Sequence, residues 1–208
     1  MVIRNRILRS LQLFVILLAI FTDSIAGQSH DPKLMQPVRK TMRREVRIPI
    51  QDFTLIDQAA RPLAFESLRG KVVIITFSYT TCPDICPLLT AAMHQVQRGL
   101  KGVERRQAFF VTVTTDPEID SPKIMAAYAS RYGLDLANWA FLTGDAATLK
   151  KVWKNFGVGV KRIARGLVDH TALTALVDRN GTMQVAYDGP SPDPKAILKD
   201  VQRLMQGK

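Results

Sequence analysis

The stretch Val72-Val73-Ile74-Ile75-Thr76-Phe77-Ser78-Tyr79-Thr80-Thr81-Cys82-Pro83-Asp84-Ile85-Cys86-Pro87 decides how this chain is read. Its first half is an apolar, β-branched run, the pattern of a central strand buried on both faces. Its second half holds the only two cysteines in 208 residues, four positions apart. An amphipathic stretch beginning near Leu88 follows, with Ile85, Leu89, Ala92, Met93, Val96 and Leu100 along one helical stripe and Gly99 or Gly102 as its end. Both thiols therefore fall at a strand-to-helix turn. One helical turn apart on one face, they can close on each other or on a soft metal ion.

Outward from this stretch, strands and helices alternate. Upstream, Pro49 to Asp57 alternates and breaks at Gln58–Pro62, suggesting a short strand or hairpin, and Phe65 to Gly70 reads as a helical turn closed by glycine. Downstream, Ala108 to Thr114 is a second core strand running into the polar loop Thr115-Asp116-Pro117-Glu118. Ser121-Pro122 caps a helix whose buried face is Ile124, Met125, Tyr128 and Tyr132, and Gly133 stops it. Trp139 to Leu142 is a third strand, and Leu149, Val152, Trp153 and Phe156 mark another helix. Phe156 to Val160 is too glycine-rich for a helix interior. Asn180-Gly181 joins two last strands, Thr171–Val177 and Met183–Tyr187, before a helix with Ile197, Leu198, Val201, Leu204 and Met205 on one face. This order predicts an α/β fold, a thioredoxin-like sandwich with a central mixed sheet flanked by helices.

The N-terminus is of a different kind. Arg4, Arg6 and Arg9 precede an apolar segment from Leu11 to Phe21, and small residues Ser24 and Ala26 flank a cut after Ala26. A basic start, a short apolar middle and a small-x-small end make residues 1–26 a secretory signal peptide, the alternative being an uncleaved anchor. The apolar run falls short of the ~20 residues that span a bilayer. Residues 27–45, with His30, read as a flexible leader, and 46–208 as one domain. Loss of residues 1–26 removes three arginines and Asp23 and lowers the net charge from +11 to +9. The basic residues are scattered without interleaved aromatics, which excludes a nucleic-acid groove and suits a positive surface near anionic lipid.

The cysteines admit several chemistries. A helix N-terminus favours thiolate, which is both nucleophile and metal ligand. A purely structural disulfide would close too short a loop to restrain the unfolded chain much. A thiol-disulfide oxidoreductase normally has two residues between its cysteines, where this chain has Pro83, Asp84 and Ile85. Such enzymes also set a proline opposite the thiols, yet no proline occurs between Pro122 and Pro190. Leu167-Val168-Asp169-His170-Thr171 occupies that place, so His170 is the candidate third ligand. Two thiolates and an imidazole suit Cu(I), or Cu(II) with a weaker further donor; zinc is the rival. His94, about 12 Å along the helix axis from Cys86, is a poor ligand.

Five segments then resemble a known family. Phe77 to Pro87, Thr114-Thr115-Asp116-Pro117-Glu118-Ile119-Asp120-Ser121-Pro122 and Val168-Asp169-His170-Thr171-Ala172 resemble the signatures of the Sco/SenC copper chaperones. Asp52-Phe53-Thr54-Leu55 and Leu68-Arg69-Gly70-Lys71-Val72 fit the opening of that family. The resemblance runs from about residue 48 to the end and implies a thioredoxin-like fold binding one copper ion through Cys82, Cys86 and His170. It implies delivery of copper to the copper A domain of cytochrome c oxidase subunit II, or reduction of that domain's thiols by the Cys82/Cys86 pair. It further implies a metallochaperone rather than an enzyme in the strict sense. The expected location is the periplasm, free or attached to the outer face of the inner membrane, where other copper chaperones are possible partners. Two departures stand out: Thr171 where the family often has serine, and an N-terminus that looks cleavable where many members have a membrane helix. Asp84 and Asp116 flank the site, with capping or loop hydrogen bonding as their expected roles, and either could tune ligand protonation or meet a partner.

Overall fold

The computed structural model describes residues 41–207. The expected signal segment, His30 and nearly all of the expected leader lie outside the described residues. No helix among the described residues is long and apolar enough to cross a membrane.

The central strand is β4 (Val72–Ser78), every residue of it buried. Its alternation feeds two cores. Val73, Ile75 and Phe77 face one side with Val111, Val113, Leu149, Val152 and Trp153, while Val72 and Ile74 face the other with Leu89, Met93, Val96, Met125 and Ile197. A strand flanked by strands and covered on both faces needs side chains that are mostly apolar, with any hydroxyl paired inside, which explains its composition; Thr76 Oγ1 lies 3.1 Å from Thr112 Oγ1.

Ten strands are described. Six build the main sheet: β1 (Met42–Pro49), β10 (Thr182–Asp188), β9 (Leu173–Val177), β4, β5 (Ala108–Thr114) and β6 (Trp139–Leu142), in that spatial order. The half from β4 to β6 is parallel and the half from β4 to β1 antiparallel, so the sheet is mixed as expected. Helices α1 (Ile85–Gly99), α3 (Pro122–Arg131) and α5 (Pro194–Met205) cover one face. Helix α4 (Ala146–Asn155) covers the other, and α2 (Gly102–Gln107) is a short helix between α1 and β5. A first hairpin, β2 (Thr54–Ile56) with β3 (Pro62–Ala64), lies outside the main sheet and leads into the 3-10 turn Phe65–Leu68. A second, β7 (Val160–Ala164) with β8 (Leu167–His170), also stands apart.

Most elements match the sequence pattern. Ser121 accepts from the Ile124 N–H with Pro122 at the first helical position, and Gly181 closes the β9–β10 turn at φ 82°. Two elements differ from it. Strand β1 begins at Met42, inside the stretch read as leader. It is an edge strand exposed along most of its length, so Arg43, Arg44, Glu45 and Arg47 stand where alternating apolar residues would have signalled a strand. His170 ends β8 of an off-sheet hairpin, where the sequence suggested only that it precedes a main-sheet strand.

The edge strand is held by a charged knot. Arg43 forks onto buried Asp200 with Nε at 2.6 Å and Nη2 at 2.8 Å, and the Tyr187 hydroxyl donates to the same carboxylate at 2.6 Å. Burial alone would raise the Asp200 pKa, but these donors outweigh it and hold the carboxyl below its ordinary value. A carboxylate with a depressed folded pKa stabilises above its unfolded value near ~3.9 and loses that contribution as pH falls through the folded one. Asp200→Asn is therefore expected to cost about 1.5–3 kcal/mol at neutral pH. It should also flatten the acid limb of the stability–pH curve, as read by urea unfolding between neutral pH and pH ~2.

Candidate metal centre

The cysteines lie where the sequence places them, at the C-terminal end of β4 and the head of α1. A turn closes there, the Cys82 N–H donating to the Tyr79 carbonyl at 3.3 Å. Cys86 is buried in the first turn of α1 and Cys82 is half-exposed before it; neither forms a disulfide. Asp84 is the N-cap residue, but its side chain accepts no capping bond, so the capping role expected for it is not filled.

The thiols are not equivalent. The Cys86 thiol, within hydrogen-bonding reach of the Cys82 sulfur, is the main cause that lowers Cys82 to about 5. Burial opposes this shift, while the N–H groups of Asp84 and Cys86 and the Tyr79 hydroxyl add to it. Cys86 is pushed up by the same bond and by burial. One proton shared between two sulfurs gives one exposed thiolate and one buried thiol. Helix N-terminal N–H groups stabilise that charge.

Tyr79 joins the thiols to the histidine. Its side chain is buried with Cys86 and Val168, and its ring meets the His170 ring edge-on with centroids 6.0 Å apart. Its hydroxyl reaches both the Cys82 sulfur and the backbone of Val168 on β8. The His170 Nδ1 lies 3.0 Å from the Thr171 carbonyl oxygen. A carbonyl can only accept, so Nδ1 carries the proton and Nε2 keeps its lone pair for a ligand. His170 borders an open cleft with Gly159, Val160, Lys161, Asp169 and Thr171. Among the described residues no three His, Cys, Asp or Glu side chains are already gathered around one metal-sized point. The structure thus brings the two sulfurs together and sets the imidazole one aromatic ring away.

Beneath the loop, Asp120 fastens the approach to Cys82. Its carboxylate accepts from the Thr80 N–H at 3.2 Å, the Thr80 hydroxyl at 2.5 Å and the Thr114 hydroxyl at 2.6 Å. Burial raises its pKa, partly offset by those donors, with neighbouring Asp116 adding to the rise. Asp116 is fully buried, and Arg162 on β7 donates to it at 2.5 Å. Its backbone carbonyl accepts from Ile119 and Asp120. Tyr79, Asp120 and Arg162 escaped the sequence reading. Hydroxyl-bearing Thr80 and Thr114 at adjacent strand ends were the available signal for Asp120; Tyr79 and Arg162 had none. His94 lies two helical turns beyond Cys86 on α1, away from this cluster.

A family model described as SCO1/SenC matches residues 42–206. The chain belongs to the SCO1/SenC family. It is 32% identical over 157 residues to the SCO1 protein homolog of Bacillus subtilis, covering 74% of this chain and 81% of that one. The structure of copper-bound ScoI from Bradyrhizobium japonicum superposes with a TM-score of 0.66 at 31% identity, covering 75% of this chain and 99% of ScoI. BsSco, described as a Sco-family cytochrome c oxidase assembly protein with a disulfide switch, superposes with a TM-score of 0.69 at 30% identity, covering 80% of this chain and 99% of that one. The mixed sheet flanked by helices is thus the thioredoxin-like sandwich of the Sco proteins.

The unequal thiols of this SCO1/SenC member are open to a chemical test. Iodoacetamide should label Cys82 alone in the folded reduced protein, with a pH midpoint close to its lowered pKa, and Cys86 only after denaturation. Tyr79→Phe should move that midpoint upward. Peptide mass mapping across pH reads both; equal labelling of the two cysteines would contradict the asymmetry.

Proposed function

We propose that the protein is a copper metallochaperone in which Cys82, Cys86 and His170 hold one copper ion as cargo. The observation that carries this reading is the free thiol pair at the head of α1, facing through Tyr79 the strand that ends in His170. Two thiolates and an imidazole suit Cu(I); a weaker fourth donor adapts the set to Cu(II). The copper-bound ScoI relative and the oxidase-assembly description of BsSco support the same role here. The recipient is the copper A site of cytochrome c oxidase subunit II, loaded during oxidase assembly. The protein acts after export, in the periplasm or at the outer face of the inner membrane, and receives its ion from other copper chaperones there.

A second reading is favoured by the thiol asymmetry. The Cys82 thiolate attacks a disulfide in the oxidised copper A site and forms a mixed disulfide. Cys86 gives up its proton to the released thiolate and, as a thiolate, displaces the second sulfur. The second released thiolate takes a proton from water, so the recipient leaves as a dithiol and the chaperone holds a Cys82–Cys86 disulfide. A periplasmic dithiol reductant then restores the pair. Copper transfer and thiol reduction can serve one recipient in sequence, because its cysteines must be reduced before loading.

The test is delivery. Copper-loaded protein mixed with reduced, metal-free copper A domain should transfer its ion, seen as a mass gain of the recipient. Cys82→Ser should abolish both loading and transfer, and His170→Ala should release Cu(II) at least ~10-fold faster. A protein that reduces the oxidised domain but carries no copper would leave only the second reading standing.

A further inference from the structure

The hairpin that carries His170 has little of its own to hold it. A two-stranded hairpin is marginal alone. On β7 and β8 only Val168 is buried, and neither strand joins the main sheet. At its turn the hairpin is tied to the cysteine loop by a neutral bond, Thr81 Oγ1 donating to the Gly166 carbonyl at 3.2 Å, and at its base it closes on itself, the Thr171 N–H donating to the Gly159 carbonyl at 2.9 Å. Mid-strand, Tyr79 meets the Val168 backbone on β8, and the tie on β7 is ionic. Arg162 donates through Nη2 to Asp116 at 2.5 Å and through Nη1 to Glu118 at 2.7 Å, both on the loop after β5.

The two carboxylates differ. Glu118 is exposed, whereas Asp116 is wholly buried and its second oxygen has no partner. Asp120 lies close enough to repel it. Arg162 is the cation paired with that buried charge, and a buried carboxylate deprived of its counterion is strongly destabilised. The ion pair therefore fixes the Arg162 guanidinium over the end of β5. Register carries this placement to the histidine: Arg162 pairs with Val168 and Val160 with His170, so Arg162, Val168 and His170 share one face of the hairpin.

Building on the copper reading, we propose that Arg162 is the positioning residue for His170. By forking onto Asp116 and Glu118 it sets the register and tilt at which the imidazole meets the thiol pair. Arg162 touches neither sulfur nor metal; it acts through the hairpin. A lysine keeps one charge, but its donors radiate from a single nitrogen on a flexible stem, so it lacks the rigid planar fork that spans two carboxylates.

Reduced full-length protein is titrated with Cu(II) alone and followed by imidazole-nitrogen coupling in pulsed electron paramagnetic resonance and by the rate of copper loss to a chelator. Arg162→Gln is expected to lose the nitrogen coupling and release Cu(II) about 10–100-fold faster, as outer-sphere changes do. Combined with His170→Ala it should be no worse than His170→Ala alone, because both remove the same interaction. Cys82 alkylation should stay as in the wild type, whereas general loss of structure would disturb it too. Wild-type coupling and release in Arg162→Gln, or additive losses in the double variant, would overturn the proposal. If Arg162→Gln does not fold, Arg162→Lys provides the same reading: partial loss of coupling supports the role, and wild-type release contradicts it. A wild-type protein that shows no nitrogen coupling overturns the copper reading itself, and the Arg162 role with it. Coupling in the wild type that survives in the variants overturns only Arg162.

Discussion

The site depends on the burial of β4 on both faces and both edges. Every side chain of Val72–Ser78 is enclosed, the Thr76 hydroxyl being satisfied internally against Thr112 Oγ1, so the strand presents no group to solvent until it leaves the sheet. The Thr115 N–H continues the β4–β5 ladder onto the Ser78 carbonyl at 2.9 Å, so the two parallel strands end level. Three functional loops therefore meet at one height: Tyr79–Cys86 after β4, Thr115–Ser121 after β5, and the β7–β8 hairpin above them. Ligands in open α/β sheets sit at such carboxyl ends, where helix N-termini also point.

Two kinds of polar interaction then divide the work. Under the loop, Asp120 gathers hydroxyl and amide donors from Thr80 and Thr114, neutral bonds that hold the approach to Cys82. Above it, Arg162 and Asp116 hold the hairpin by charge. The sulfur pair leans on the first arrangement and, in the proposal made above, the histidine on the second, so the proposed donor set would come from parts that can be perturbed separately. Tyr79 is the shared member, its hydroxyl near Cys82 and its ring against His170. That division suits a carrier, which must bind an ion and also surrender it.

Much of this was legible in the sequence because burial leaves a pattern. β4 and β5 are mostly apolar and β-branched, the stripes of α1 and α5 have helical spacing, and Asn180-Gly181 names its own turn. The thiol pair and His170 stand out in the sequence by residue type and by the proline missing opposite the cysteines; the structure brings the two sulfurs together and leaves the imidazole beside Tyr79. What was not legible buries almost nothing. Lys161-Arg162-Ile163-Ala164-Arg165-Gly166 reads as a basic loop, since a hairpin that hides only Val168 needs no apolar alternation. β1 was masked for the same reason at the sheet edge. Tyr79 reads as the end of an apolar run, and its contacts with Cys82, Val168 and His170 join residues up to ninety positions apart that only the fold brings together.

In the copper reading proposed above, two sulfurs and one imidazole, from two separately held parts of the fold, close on one copper ion. X-ray absorption at the copper edge of the reduced, Cu(I)-loaded protein tests it most directly. One copper per chain with two sulfur scatterers and one imidazole nitrogen is expected, the nitrogen absent in His170→Ala. A sulfur-only shell that is unchanged in His170→Ala would contradict it.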